Sequence, residues 1–211
     1  MTAPMIAPMT APLTAPMTAP MTAPMTAPIR TLAGVALATL LVLLSACTPE
    51  HDWREIRASD DGFVAMMPSR PSRMTQPVDL DGLRLTMSMQ GSLVRDVAYT
   101  VGTASLPQGA DKAVSAQALD VMRRAMVRNI EGEQRSARPV TFSIIDGSGA
   151  VAGSVEGLEV EAVGRMRGQE AVLIARFATV DSRVWQIVVL GPRPDREQAT
   201  MFLDSVRLIR R

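Results

Sequence analysis

The most regular pattern in the chain lies in residues 53–211, where short apolar runs alternate with turn-forming residues. In 83–89, Leu83, Leu85, Met87 and Met89 alternate with Arg84, Thr86 and Ser88, a period of two that predicts a strand with one buried face. Residues 62–67 are apolar and stop at Pro68, and 94–103 set Val97, Tyr99 and Val101 on one face. Further strands are predicted over 140–145, 158–166, 171–180 and 184–190. The last three are joined by the short turns Arg167-Gly168-Gln169 and Asp181-Ser182-Arg183, which reads as an antiparallel meander. Within it, Leu158, Val160, Ala162 and Gly164 alternate with Glu159, Glu161, Val163 and Arg165, so the second set is expected to face water.

Two stretches change period from two to about 3.6. Asp111 is placed to cap a helix over 112–130, in which Val114, Ala118, Val121, Met122, Ala125 and Ile130 share one side. Pro194 introduces a second helix over 195–206 that buries Ala199, Phe202 and Val206. The expected fold class is therefore α+β: an antiparallel sheet of about six to seven strands with two main helices packed on it.

Several short motifs resemble the small secreted domains of the PsbP-like family. They are the opening Gly62-Phe63-Val64 with Met67-Pro68 and Pro71, and the ending Val184-Trp185-Gln186-Ile187-Val188-Val189 before a helix carrying Phe202-Leu203-Asp204-Ser205-Val206. A long helix after the early strands and the strand beginning Gly157-Leu158-Glu159 follow the same order. The resemblance implies a layered domain with helices on both sides of a sheet. It also implies a family of binding, assembly or uncharacterised lipoproteins, and it carries over no catalytic residues.

The first 46 residues have a different character. Residues 1–28 are seven tandem Met-Thr-Ala-Pro tetrapeptides, varied only by Ile6 and Leu13. A proline at every fourth position removes helical donors, so the repeats are expected to be disordered, or to precede the true start. A start at Met25 leaves a conventional leader, and 29–46 read as a signal peptide. The apolar run 32–44 is thirteen residues long, shorter than the roughly 20 that span a bilayer. It ends in Leu44, Ser45, Ala46 and Cys47, which resembles the lipobox of bacterial lipoproteins. That resemblance implies cleavage before Cys47 and acylation of its thiol with diacylglyceryl and palmitate-like chains, which hold the protein stably at a membrane. Thr48 in place of aspartate implies the outer membrane, with the domain facing the periplasm. Residues 47–52 form the tether. From Cys47 to Trp53 the chain reaches at most about 17–20 Å, so the domain 53–211 is expected to sit against the bilayer.

Charge removes several function classes. Arg30 is the only charged residue before Cys47, so the remainder holds 21 Lys and Arg against 21 Asp and Glu. That balance argues against nucleic acid, which needs a concentrated basic surface. Cys47 and His51 are the only cysteine and histidine, which leaves no internal disulfide, no thiolate or histidine-pair metal site and little room for a histidine-based triad.

The remaining candidates each have an ordinary alternative. The glycine-rich stretch 146–157 reads as a turn rather than a phosphate loop, because no helix follows it. The pairs Asp60-Asp61 and Asp79/Asp81, each before a glycine, read as turns rather than calcium loops. Arg123, Arg124 and Arg128 form either a solvated helix face or a contact for anionic lipid. Trp53, Tyr99, Trp185, Met66 and Met67 are expected to fill core, with an apolar pocket as the alternative. Lys112, the only lysine, lacks the Ser-x-x-Lys context of a nucleophilic dyad. No catalytic, metal or cofactor residues are assigned. The expected function is a non-catalytic binding or assembly module of the cell envelope, anchored through Cys47 and contacting another envelope protein. The alternatives are a carrier of a small apolar ligand and, more remotely, a carboxylate-based hydrolase.

Overall fold

The computed structural model describes residues 51–210. The repeats, the leader, the lipobox Leu44, Ser45 and Ala46, and Cys47 lie outside the described residues. In chain order the elements are β1 Arg54–Ala58, β2 Phe63–Met67, β3 Ser72–Leu80, β4 Leu83–Val94, β5 Val97–Ser105, α1 Lys112–Asn129, β6 Glu133–Ile145, β7 Val151–Met166, β8 Gln169–Val180, β9 Arg183–Gly191, α2 Arg196–Ser205 and β10 Arg207–Ile209. All ten strands belong to one sheet, in the order β1-β2-β10-β6-β7-β8-β9-β5-β4-β3. Every pairing is antiparallel except β10 with β6.

This corrects the expected α+β layout of six to seven strands with two packed helices. The domain is mostly β, a ten-stranded sheet curled into a half-barrel. The additional strands carry little apolar signal. In β3 the residues Ser72–Gln76 are exposed, and so is Glu133–Pro139 in β6, so pairing with a neighbour rather than burial makes them strands. β10 follows directly on the second helix, which ends at Ser205, one residue short of the expected end, because Val206 is already in an extended conformation. The glycine-rich stretch is a turn only as far as Ala150, and from Val151 it belongs to β7.

Local chemistry accounts for the turns and caps. Asp81 and Gly82 (φ 53 and 89) and Arg167 and Gly168 (φ 52 and 80) are two-residue hairpin loops with both central residues at positive φ. That turn matches the twist of the strands it joins. Asp111 accepts a hydrogen bond from the Val114 amide at 2.8 Å. Asp195 accepts from the Glu197 and Gln198 amides at 2.8 and 3.0 Å. Both helices therefore start on a satisfied cap.

The period of two along β9 divides the core. Val184 and Val188 pack with α1, while Trp185, Ile187 and Val189 pack on the opposite face with Tyr99 and with Phe202 of α2. Trp53, Tyr99, Trp185 and Met67 all belong to that second core, Trp53 at its margin. Glu159 also points there rather than into water, and only 5% of its surface is exposed. This corrects the expectation for Glu159, while Arg165 is exposed and Glu161 and Val163 are half-buried.

Candidate functional site: a methionine-lined cavity

On the α1 face, β5 presents Ala98, Thr100, Gly102 and Ala104, alternating with the bulkier Tyr99 and Val101 on the other face. Register sets this row of small residues beside Met87 and Met89 of β4 on one side, and Gln186, Val188 and Leu190 of β9 on the other. α1 passes above it, packed on β7, β8, β9 and β3. Small side chains in the floor leave the helix nothing to rest on, and a cavity of about 400 Å³ remains. Met122, Ala125, Met126 and Asn129 of α1 form its roof, and Gln76, Val78, Asp79 and Leu80 of β3 close its side.

Gly102 is required by this arrangement. A Cβ there would stand 3.0 Å from Cγ and 3.1 Å from Nε2 of Gln186, and 3.4 Å from the Met87 sulfur. Gln186 is 8% exposed, and its Nε2 donates to the Met87 sulfur at 3.5 Å, a weak acceptor. The floor therefore holds an amide group with bonding capacity to spare inside an apolar space. Among the described residues, Asp79 is the only charged one on the wall. Its carboxylate accepts from the Gly82 amide at 2.6 Å and lies 3.7 Å from Arg84. Four methionines supply flexible, polarisable surface that adapts to irregular apolar shapes.

A second cleft of about 510 Å³ lies on the other face, where the described chain begins. His51 lines it with Val94, Arg95, Asp96, Tyr99 and Arg193. The His51 ring stacks on Trp53 at 5.7 Å and meets the Tyr99 ring edge-on at 6.5 Å. Trp53 Nε1 donates to Gln198 Oε1 at 3.1 Å, which ties the entering chain to α2.

The residues singled out from sequence are placed as follows. Arg123 donates to Asp120 and to Gln134, and Arg124 pairs with Asp120 and with Asp81, so α1 is linked to the β3–β4 turn. Hydrogen bonding from Arg123, helped by the charge of Arg124, holds the Asp120 carboxyl below its ordinary range. Asp61 is buried, accepting from Arg73 at 2.9 Å and Gln90 at 2.6 Å. Asp146 accepts from the Ser148 hydroxyl and the Ser148 and Ala150 amides, which closes the β6–β7 turn and lowers its pKa, with the Ser148 hydroxyl as the largest cause. Among the described residues no group of three or more His, Cys, Asp or Glu side chains is arranged to hold a metal.

Sequence reasoning missed two features. The cavity is the first, although its floor was visible as the small alternate residues of β5. The second is an ion network beneath α2. Register aligns Arg138, Glu159 and Arg176 across β6, β7 and β8. Arg138 reaches Glu159 at 2.6 Å, Arg176 reaches it at 2.6 Å, and Arg176 pairs with Asp204 of α2 at 2.7 Å. Every charge in it has a partner, so it holds α2 to the sheet.

No family model and no curated protein matches the chain. Among solved structures it is similar to PA94 from Pseudomonas aeruginosa, a protein of unknown function, at 7% identity over 69% of this chain and 87% of that one, with a TM-score of 0.35. A likeness of that size carries no argument about fold or role.

Proposed function

We propose that this chain is a lipid-anchored envelope protein whose domain binds a small apolar ligand. The cavity of about 400 Å³ between α1 and the β3-β4-β5-β9 part of the sheet is the observation that carries this reading. Ligand sites are concave, mostly apolar and furnished with a few polar groups, and their volumes run from about 300 to 1,000 Å³. Here the apolar surface comes from Met87, Met89, Met122, Met126, Val188 and Leu190, and the polar group from Gln186. The anchor rests on Leu44, Ser45, Ala46 and Cys47 following a short apolar run. Between the carrier and the assembly-module readings, the groove under α1 favours the carrier, since it offers a concave, mostly apolar surface of the size a small ligand fills.

The test uses the fluorescent probe N-phenyl-1-naphthylamine with the full chain carrying Cys47→Ser. Saturable binding of about one probe per protein is expected, abolished by Met126→Trp, which fills the roof. Mass spectrometry of protein purified from membranes is expected to find an apolar molecule retained. Probe fluorescence equal in the two proteins removes the support for this function.

A further inference from the structure

The floor of the groove under α1 holds one side chain that packing does not explain. On that face β9 presents Val184, Gln186, Val188 and Leu190, so an amide interrupts an otherwise aliphatic row. Register sets Gly102 of β5 on one side of it and Phe177 of β8 on the other, and both Phe177 and Val184 are buried. Gln186 is more than nine-tenths buried itself. Among the described residues its side chain makes one hydrogen bond, from Nε2 to the Met87 sulfur at 3.5 Å, so its second N–H and Oε1 have no strong partner. A buried amide with unmet bonding capacity costs stability, whereas methionine or leucine at the same place would not. Gly102 makes room for it, since a Cβ there would press on Gln186 Cγ and Nε2 from the next strand.

The rest of the wall sets the charge of what can meet that amide. Among the described residues no cationic side chain lines the groove, and its one charge, Asp79, is exposed and already accepts from the Gly82 amide. A carboxylate or phosphate laid on the floor would lose its water beside Val188 and Met122 with no counter-charge in return. An ammonium would find a single amide oxygen there. An uncharged oxygen loses far less, and it can accept from the N–H of Nε2 that the sulfur leaves over.

We propose that the groove selects an uncharged, mostly apolar molecule carrying a carbonyl or hydroxyl oxygen, and that Gln186 is the residue that recognises that oxygen. The inference rests on the carrier reading and names the ligand class for the same site. Nε2 of Gln186 donates to the ligand oxygen, and a hydroxyl also donates back to Oε1. Met87, Met89, Met122 and Met126 adapt to the apolar body while the amide fixes its orientation. Bare hydrocarbons lack the oxygen and anions lack a counter-charge, so the same floor disfavours both.

The test is competition against N-phenyl-1-naphthylamine on the full chain carrying Cys47→Ser, at neutral pH. The competitors are naphthalene, 2-naphthol and 2-naphthoate, one ring system that differs in a single group. 2-Naphthol is expected to bind at least about tenfold more tightly than either of the others. In Gln186→Met its preference over naphthalene is expected to fall to about twofold or less, with a Tm no lower than the parent's, because an unmet polar group has left the core. Gly102→Ala crowds the amide from β5 and is expected to cut the preference at least about threefold with Gln186 still present. Equal binding of naphthalene and 2-naphthol to the parent overturns the inference and leaves the carrier reading intact. So does 2-naphthoate binding as tightly as 2-naphthol, or a Gln186→Met protein that keeps the parent's preference. Failure of the naphthylamine and all three competitors to bind the parent overturns the carrier reading itself.

Discussion

Replacing Arg176 by methionine tests the ion network beneath α2. Arg176 is 7% exposed, and its guanidinium donates from Nε to Glu159 Oε2 at 2.6 Å and from NH2 to Asp204 at 2.7 Å. Arg176→Met leaves the Glu159 carboxylate buried, with Arg138 as its remaining partner. Removing one partner of a buried pair costs about 3–5 kcal/mol. Arg138 is largely exposed and stays in place, so the lower end applies, about 3 kcal/mol. For a domain of this size that lowers Tm by about 6–12 °C. Asp204 sits near the surface and returns to water at little cost. The informative comparison is the double replacement Glu159→Leu with Arg176→Met. Two apolar side chains of similar size remove the desolvation penalty together with the attraction, so the double variant is expected within about 1 kcal/mol of wild type. Thermal and urea denaturation of the Cys47→Ser chain, followed by circular dichroism, gives both numbers. An Arg176→Met loss below about 1 kcal/mol, or a double variant as unstable as the single, refutes the assignment of Glu159 as a buried charge that needs its partner.

Three further outcomes follow from local geometry. Asp111→Ala removes the bond to the Val114 amide and is expected to destabilise by about 1 kcal/mol, measured by urea denaturation, with Asp111→Asn close to wild type. Gly164→Ala sets a methyl group 2.2 Å from the Ile130 carbonyl oxygen and 2.6 Å from Gly132 Cα, both backbone atoms, so a loss at the upper end of about 1–3 kcal/mol is expected in the same assay. For pH, the folded-state pKa of Asp120 lies below its ordinary value of 3.8, so its contribution is present above that value and is lost as the pH falls through the folded pKa. The stability difference between wild type and Asp120→Asn is therefore expected to be level from pH 5 to 8, about 0.3–0.5 kcal/mol, and to close towards pH 3 in urea titrations.

Features governed by near neighbours in the chain are legible in the sequence itself. Leu85 and Met87 alternate with exposed Arg84 and Thr86, and Val101 and Tyr99 share a buried face, because a strand's pleat imposes its period locally. Asp111 caps a helix and Arg167-Gly168 turns a hairpin through bonds and dihedral angles only a few residues in extent. The missed features depend on distant parts of the chain. Ser72–Gln76 and Glu133–Pro139 have no buried face to betray them and are strands because Met89 and Val160 lie on partners brought alongside. Glu159 reads as a solvent residue until register places Arg138 and Arg176 on either side of it and α2 covers them. The cavity is the extreme case. Ala98, Thr100 and Gly102 are visibly small, but the space above them exists because the sheet curls until β3 meets α1, held there by Arg124 and Asp81, which are 43 residues apart in sequence. A void is set by what packs around it, and that depends on every strand in the sheet at once.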